Sequence, residues 1–241
     1  FNTIRKHIKI ETARWYYHCD RLGIIVWQDM VNSGSPYHPL IVTYLPTLFK
    51  SLRKRTSDKH HYLLARNDKT NRQEFINECK ETINYLSHFP CISTWVLFNE
   101  GWGQFDTVEL TKYLRTLDPT RLIDSTSGWF DQNCGDFRSE HYYFDKPKII
   151  PDKRAFVISE YGGYAYQVKD HVSTKNIYGY QNYDSKEQFQ KEYQELLNST
   201  IFPLIEKGLC GAIYTQLSDI EDEINGLLTY DREVCKLDID K

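Results

Sequence analysis

The chain has 241 residues, with 30 Lys and Arg against 33 Asp and Glu, and a formal charge of −3. Hydrophobic residues make up 40% and charged residues 26%, which excludes a disordered, collagen-like or disulfide-dense scaffold. The near-neutral charge argues against nucleic-acid binding as the main function. The aromatic share of 15% suits a protein that offers flat, amphipathic surfaces to a ligand.

Short apolar runs alternate with longer segments of helical period along the chain. We predict strands at residues 1–4, 24–28, 93–98, 122–125, 155–159 and 211–216, with a weaker strand ending near His141. We predict helices at residues 12–22, 74–87, 107–117 and 185–198. This alternation is typical of a parallel sheet and fits either a (β/α)8 barrel missing one strand or an open doubly wound sheet. The chain has neither of the glycine-rich nucleotide motifs that would favour the open sheet.

We treat residues 1–241 as one α/β domain, because no repeat or low-complexity linker divides it. The chain starts at Phe1, inside a predicted strand, so we expect it to be a piece of a longer polypeptide. Its compartment stays open, and a secreted or periplasmic parent is one option. The apolar runs are too short to span a bilayer, so we expect no membrane partner. Six cysteines without a C-x-x-C pair argue against a zinc or redox motif, and we predict no metal and no cofactor.

Residues 50–72 carry eight Lys and Arg against Asp58 and Asp68. This basic segment has two interpretations, a patch that binds phosphate or nucleic acid, and a solvated face on a long loop. We favour the second, because runs of charge are usually solvated.

The strongest chemical signal is a glutamate that directly follows an apolar strand, which occurs twice. Glu100 follows the run at residues 95–98, and Glu160 follows the run at residues 156–158. Ligands of parallel α/β folds bind at the carboxyl ends of strands, so two such glutamates can face each other across a pocket. Cleavage of a glycosidic bond needs one carboxylic acid to protonate the leaving oxygen and one carboxylate to attack the anomeric carbon. We expect Tyr161, or a tyrosine from residues 140–143, to donate a hydrogen bond to Glu160.

Other predicted strand ends carry polar side chains of the kind that bind sugar hydroxyls, and two tryptophans, Trp102 and Trp129, have the shape to stack on a pyranose ring. The candidates for sugar binding are Arg5, His7, Asp29, Asn99, Trp102, Tyr142 and Gln216. Each of them taken alone has an equally good structural explanation, such as a buried histidine or a helix cap.

Five segments together resemble the catalytic barrel of glycoside hydrolase family 2, the family of β-galactosidases, β-glucuronidases and β-mannosidases. They are residues 1–7, 20–29, 93–100 with the Asn-Glu pair, 118–121 with the sequence Asp-Pro-Thr-Arg, and 158–162. The combination of the Asn-Glu pair with a second strand-end glutamate about 60 residues later is specific, although each piece alone is common.

The resemblance implies a (β/α)8 TIM barrel and a retaining mechanism of hydrolysis. Glu100 would be the general acid/base and Glu160 the nucleophile, with their carboxyl groups roughly 5 Å apart. By the same resemblance, Asn99 would contact the sugar 2-hydroxyl, and Arg5, His7 and Asp29 would line the sugar pocket. Tyr142 would be a partner of Glu160.

The chain also departs from the family pattern. The motif of the first barrel strand and the preceding β-sandwich domains are absent from the sequence, and the last strand reads YTQLSD at residues 214–219, where better-known members carry a tryptophan. The choice between a β-galactoside and a β-glucuronide therefore stays open, as does the oligomeric state. The alternative function is a degenerate barrel that binds carbohydrate without cleaving it. We expect the isolated chain to be inactive.

Overall fold

The computed structural model describes residues 1–32, 34–49, 51–52, 56–173 and 178–238. These residues form two compact units. The first contains Phe1–Glu140 and Asp152–Ala155, and the second contains His141–Pro151 and Phe156–Lys241. Within the described ranges, no helix combines the length and the apolar character needed to cross a membrane.

The first unit is built on a four-stranded parallel sheet with its strands in chain order. The strands are β1 (Thr3–Lys6), β2 (Ile25–Asp29), β3 (Ile92–Val96) and β4 (Leu122–Asp124). The helices that the structure describes in this unit are α1 (Ala13–Leu22), α2 (Leu45–Leu48), α3 (Lys69–Leu86) and α4 (Thr107–Leu117), and a π-helical turn, Leu40–Tyr44, precedes α2. The predicted alternation of parallel strands and helices is therefore confirmed here.

Local signals fix the ends of these helices. Gly23 ends α1 at a positive φ of 67°, which lets its N–H reach the carbonyls of Asp20 and Cys19. Helix α3 begins at Lys69, five residues before the predicted start at residue 74. The carboxylate of Asp68 accepts hydrogen bonds from the N–H groups of Thr70 and Asn71, so it caps a polar first turn that apolar periodicity does not detect.

The turn at residues 118–121 is held by its aspartate. Trp95, a fully buried residue of β3, donates its indole N–H to Asp118 over 2.9 Å. Thr120 and Arg121 also donate to the same carboxylate, at 2.6 Å and 2.9 Å. Burial alone would raise the pKa of Asp118, but these hydrogen bonds outweigh it and lower the pKa to about 2. The turn that leads into β4 is thus tied to the core of the sheet.

The second unit also contains parallel strands. In it β6 (Ala155–Gly162) pairs in parallel with β9 (Leu209–Thr215), and the short strands β7 (Tyr164–Tyr166) and β8 (Gln181–Tyr183) form a second parallel pair. Strand β5 (Phe137–Tyr142) begins in the first unit and its last two residues belong to the second. The pair β7 and β8 is an addition to the predicted strands.

A helix in three segments precedes β9. Helix α5 (Lys186–Glu195) is capped by the hydroxyl of Ser185, which accepts from the N–H of Gln188 at 3.2 Å. A π-helical segment, Leu196–Ile201, then leads into α6 (Phe202–Ile205), which has Pro203 in its first turn. The buried face of these helices packs with β6 and β9 in one apolar cluster.

Candidate active site

Three predicted sugar-binding residues meet at the carboxyl end of the first sheet. Arg5 on β1 forms a two-pronged ion pair with Asp29 on β2, with Nε 2.9 Å from Oδ1 and Nη2 2.8 Å from Oδ2. The same Nη2 donates to Oδ1 of Asn99, which follows β3, at 2.9 Å. The side chains of Arg5 and Asp29 are each only 2% exposed. This geometry fixes the direction of all three side chains, because a planar guanidinium matches the two carboxylate oxygens.

Glu100 lies in a tight turn directly after Asn99. Its backbone has a positive φ of 50°, and Gly101 follows at 72°. The N–H of Glu100 donates to the carbonyl of Ser127 at 2.9 Å, which ties the turn to the segment after β4. A Cβ on Gly101 would come within 2.1 Å of the ring of Phe130. Only glycine therefore fits behind Glu100, and the glutamate itself is partly buried.

The two tryptophans have different surroundings. Trp102 is partly buried and its ring lies parallel to that of Tyr37, with centroids 6.0 Å apart. Trp129 is 6% exposed and packs in an apolar cluster with Val42, Leu64 and Phe130. The Trp129 ring thus packs within the first unit, which does not favour the stacking role expected for it. Trp102 stays a prediction for sugar binding.

In the second unit, Glu160 on β6 receives a hydrogen bond from the hydroxyl of Tyr143. The Nδ1 atom of His141 lies 3.4 Å from the same carboxylate oxygen, and the Glu160 side chain is 12% exposed. The Tyr143 hydroxyl also lies 3.2 Å from Oγ1 of Thr215, at the end of β9. A carboxylate that is partly removed from water and receives such donors is held in one orientation.

One partner of Glu160 is Tyr143, which lies in the segment of residues 140–143 expected to supply a tyrosine donor; the resemblance implies the adjacent Tyr142 instead. Alternate residues of an extended chain point to opposite sides, so His141 and Tyr143 both reach Glu160 while Tyr142 faces the other way. The hydroxyl of Tyr142 donates to the carbonyl of Lys148 at 3.4 Å, and its ring packs against the apolar cluster of the second unit. Tyr161, the other expected donor, is 3% exposed, and its ring meets that of Tyr214 edge to face.

A glycine makes room for the Tyr143 ring. Tyr143 stacks on Tyr180, with centroids 3.9 Å apart and planes 11° apart. Gly163, at a φ of 68°, lies against this pair, and a Cβ there would come within 2.3 Å of the Tyr180 ring. The absence of a side chain at residue 163 is therefore a condition for the position of the hydroxyl on Glu160.

Gln216 is anchored by two residues of the segment 222–226, which follows β9. Its side-chain amide donates to Glu223 at 3.0 Å and to the Asn225 side chain at 2.6 Å. Deeper in the same unit, Lys236 donates to Asp219 at 2.7 Å and to the carbonyl of Ile224 at 2.9 Å. Burial, the largest effect on both groups, lowers the pKa of Lys236 and raises that of Asp219. This buried pair fixes the segment that carries the partners of Gln216.

The remaining candidates are placed as follows. His7 is exposed just after β1. The side chains of His171, Asp231 and Glu233 have ligand atoms within 4.8 Å of one another, a spacing that suits a cation, but they are partly or fully exposed.

Glu100 belongs to the first unit and Glu160 to the second, so a facing arrangement of the two carboxyl groups stays a prediction.

The basic segment is only partly described, and Lys50, Arg53, Lys54 and Arg55 lie outside the described residues. Of the remainder, Arg66 is 0% exposed, and Arg72 donates to the backbone carbonyls of residues 66 and 67. Lys59 and Lys69 are exposed, as expected for a solvated face, whereas the buried Arg66 departs from that expectation.

Comparison with known proteins identifies the family. The model of the glycosyl hydrolases family 2 TIM barrel domain matches residues 1–207. A search of curated proteins by sequence gives no match. The relationship to solved structures is distant in sequence and extends over almost the whole chain.

Three structures illustrate it. A family 2 β-galacturonidase from Eisenbergiella tayi bound to galacturonate has a TM-score of 0.64 at 16% identity, over 97% of this chain and 42% of that one. A β-D-glucuronidase of Dictyoglomus thermophilum has a TM-score of 0.60 at 13% identity, again over 97% and 42%. β-Glucuronidase 2 of Bacteroides uniformis, covalently bound to cyclophellitol-6-carboxylate aziridine, has a TM-score of 0.61 at 15% identity, over 96% and 29%.

The chain thus spans about two fifths or less of the length of these enzymes. At such identities the likeness shows the fold, and the family match, which covers most of the chain, shows the membership. The predicted α/β class and barrel architecture are confirmed by both findings. The chain belongs to glycosyl hydrolase family 2, as its TIM barrel domain.

Proposed function

We propose that the protein containing this chain is a retaining β-glycosidase, with Glu100 as general acid/base and Glu160 as nucleophile. The observation that carries the proposal is the setting of Glu160 near the carboxyl end of β6. Its carboxylate accepts a hydrogen bond from the Tyr143 hydroxyl, and the Glu160 side chain is 12% exposed. The carboxylate is therefore oriented but still accessible to a small substrate. Family membership supplies the reaction class.

In the first step, the carboxylate of Glu160 attacks the anomeric carbon while the carboxylic acid of Glu100 protonates the departing glycosidic oxygen. The aglycone leaves as an alcohol and the sugar is bound to Glu160 as an ester. In the second step, the Glu100 carboxylate takes a proton from water, the water oxygen attacks the anomeric carbon, and Glu160 is released. The proposal requires the two carboxyl groups to be about 5 Å apart.

The residues around the two glutamates have matching roles in the proposal. Arg5 is held by its ion pair with Asp29 and donates a hydrogen bond to the amide oxygen of Asn99. In this orientation the amide N–H groups of Asn99 can meet a sugar hydroxyl. Contacts of this kind accelerate the reaction when they are stronger in the transition state than in the ground state. Tyr143 keeps the attacking oxygens of Glu160 in place.

For the sugar, we propose a β-linked uronic acid as the first choice. The support comes from structural neighbours, which are described as a β-galacturonidase and β-glucuronidases. The β-galactoside suggested by the resemblance has no support from these neighbours, so it is the second choice. The proposed substrate is a β-glucuronide or β-galacturonide of an alcohol or phenol.

The test uses the complete protein and three 4-nitrophenyl glycosides, the β-glucuronide, the β-galacturonide and the β-galactoside. We expect turnover of one of the uronides, and loss of turnover in Glu160→Gln. Cyclophellitol-6-carboxylate aziridine, the covalent ligand of the Bacteroides uniformis enzyme, should label the wild-type protein at Glu160, as read by peptide mass mapping. Wild-type turnover in Glu160→Gln would contradict the proposal. Binding of glucuronate by a wild-type protein that cleaves none of the glycosides would instead indicate the non-catalytic barrel.

A further inference from the structure

Arg66 is a buried cation beside the turn that carries Glu100. The residue is 0% exposed and lies between α2 and α3, in a segment where the sequence predicts solvated charge. Its guanidinium lies over the rings of Phe75 and Phe105, at 4.7 Å and 5.5 Å from their centroids. Burial lowers the pKa of Arg66 to about 10, so the side chain is still a cation at neutral pH.

The hydrogen bonds of Arg66 go to the Glu100 turn and to amide side chains. Its Nε donates to the carbonyl of Gly103 at 2.7 Å, and its Nη2 donates to Oδ1 of Asn32 at 2.8 Å. The amide nitrogen of Asn32 in turn donates to the carbonyl of Trp102. Two consecutive carbonyls of the turn, two and three residues after Glu100, are therefore held by one guanidinium, one directly and one through Asn32.

The fit is tight on the side of the turn. Gly103 has a φ of 59°, and a Cβ there would come within 2.7 Å of Nε of Arg66. Within the described part of the chain, Arg66 is hydrogen-bonded to no carboxylate; its Nη1 donates to Oδ1 of a second amide side chain, Asn71. The negative charge of Glu78 raises the pKa of Arg66 against the larger, opposing effect of burial. A buried charge whose hydrogen-bond partners are all neutral is nevertheless costly to desolvate, so stability alone is a weak explanation for it.

We propose that Arg66 is a positioning residue that fixes the turn at residues 99–104 and so directs the Glu100 carboxyl group at the leaving oxygen. This inference rests on the proposed role of Glu100. The turn contains two positive-φ glycines, Gly101 and Gly103, which leave its backbone otherwise free to adopt other conformations. The bonds from Arg66 and Asn32 select one of them.

Displacement of the Glu100 carboxyl group changes how kcat/KM depends on the leaving group, which a general loss of stability does not do. A good leaving group, such as dinitrophenolate, departs with little protonation, whereas a poor one, such as an alkoxide, depends on the acid. Removal of Arg66 should therefore lower kcat/KM most for the poorest leaving group. Loss of folded protein would lower kcat/KM by the same factor for every leaving group.

The experiment measures kcat/KM of the complete protein on a series of β-glycosides that share the preferred sugar and differ in the pKa of the leaving phenol or alcohol. The variants are Arg66→Met, Arg66→Lys and Asn32→Ala. For Arg66→Met we expect a loss on the poorest leaving group that exceeds the loss on the best by about tenfold or more, which is part of the roughly 10²–10⁴-fold that a general acid contributes. Arg66→Lys should fall between Arg66→Met and the wild type, because lysine keeps the charge but not the fork.

Arg121→Met is the matched control. Arg121 also donates to backbone carbonyls, those of Ile92, Ser87 and Phe89, but it does so at the amino end of β3, away from the Glu100 turn. The Arg121→Met substitution should lower thermal stability and leave the dependence of kcat/KM on the leaving group unchanged. If Arg66→Met fails to fold, Arg66→Lys and Asn32→Ala carry the test.

Two results would overturn the inference. An equal loss on all leaving groups, or no loss, in the folded Arg66 and Asn32 variants would show that Arg66 does not position the acid, and would leave the proposed function intact. A wild-type protein that cleaves no β-glycoside would overturn the proposed function, and this inference with it.

Discussion

The hydroxyl of Tyr143 donates a hydrogen bond to Oε2 of Glu160, and the Tyr143 ring is clamped by a stack on Tyr180. The donor is therefore held by packing and does not depend on the carboxylate for its position. Such a clamp stabilises the negative charge of Glu160 before attack on the sugar, and the bond weakens once the carboxylate becomes an ester. This relationship makes Tyr143 the most informative single residue of the second unit.

Tyr143→Phe should lower kcat/KM of the complete protein by about tenfold to a hundredfold, the range that a hydrogen bond to a charged group contributes. The change removes one oxygen and keeps the stacked ring, so thermal stability should change little. Tyr193→Phe is the control, because Tyr193 is a buried tyrosine of the same unit whose ring packs against Tyr214. An equal loss of activity in Tyr193→Phe would contradict the specific role of Tyr143.

Tyr142→Phe tests the correction from Tyr142 to Tyr143. The Tyr142 hydroxyl donates to the carbonyl of Lys148 at 3.4 Å, near the outer limit of a hydrogen bond, so its removal should have a smaller effect than that of the Tyr143 hydroxyl. Steady-state kinetics of the two variants side by side gives the answer. A larger loss in Tyr142→Phe would restore the residue that the sequence favours.

Gly163→Ala should displace the stacked pair. The new Cβ would meet the Tyr180 ring at 2.3 Å and Cδ1 of Tyr143 at 3.2 Å, and alanine at a φ of 68° is strained in addition. We expect a loss of about 1–3 kcal/mol in the free energy of unfolding, as for overpacking, together with lower kcat. Gly23→Ala is a fair comparison, since Gly23 has nearly the same φ of 67° but open space around it. A loss of activity in Gly23→Ala as large as in Gly163→Ala would show that backbone strain alone explains the effect.

Asp29→Ala should destabilise the first unit by about 3–5 kcal/mol, because it leaves the guanidinium of Arg5 buried without its carboxylate. Urea denaturation of the chain measures this loss. Lys9→Ala removes an ion pair to Glu11 whose lysine is 62% exposed, and should change stability by less than about 1 kcal/mol. A small effect of Asp29→Ala would mean that the Arg5 side chain reaches solvent or another acceptor once Asp29 is removed.

Much of the scaffold could be predicted from the sequence because its signals are local. The apolar runs that become β2, β3 and β9 are short and bounded by polar residues, and the helix predicted from residue 185 has Ser185 as the cap of α5. The predicted start of α3, residue 74, is wrong because the first turn of the helix is polar and its cap, Asp68, lies within a run of other charges. Strands β7 and β8 have three residues each, which is too short for a period-two pattern to appear.

The residues of the candidate site also fall into those that local sequence signals predict and those that depend on contacts between distant parts of the chain. Arg5, Asp29 and Asn99 were predicted because strand ends in a parallel sheet share an edge, and the structure joins them by hydrogen bonds. Tyr143 and Arg66 depend on information that is not local. The choice between adjacent tyrosines depends on where a strand begins its alternation, and the burial of Arg66 depends on rings 9 and 39 residues away in sequence, Phe75 and Phe105.

Asp118 makes the free energy of unfolding of the first unit depend on pH in the acid range. Its pKa is lowered to about 2 in the folded chain, because hydrogen bonds from Thr120, Trp95 and Arg121 outweigh the opposing effect of burial. The unfolded value is near 3.8. A lowered folded pKa contributes stability that is complete above the unfolded value and is lost as the pH falls through the folded value. The contribution at neutral pH is about 2 kcal/mol, at 1.36 kcal/mol per pKa unit.

Asp118→Asn should therefore lower the free energy of unfolding at pH 7 by about 2 kcal/mol and flatten its decline between about pH 4 and pH 2. Urea titrations of both proteins at several pH values in this range measure the two slopes. The difference between the proteins should shrink towards pH 2, because the wild-type carboxylate becomes increasingly protonated as the pH approaches its folded pKa of about 2. Parallel curves across the whole range would show that Asp118 acts through hydrogen-bond geometry and not through its charge, and that the acid sensitivity of the first unit comes from other carboxylates.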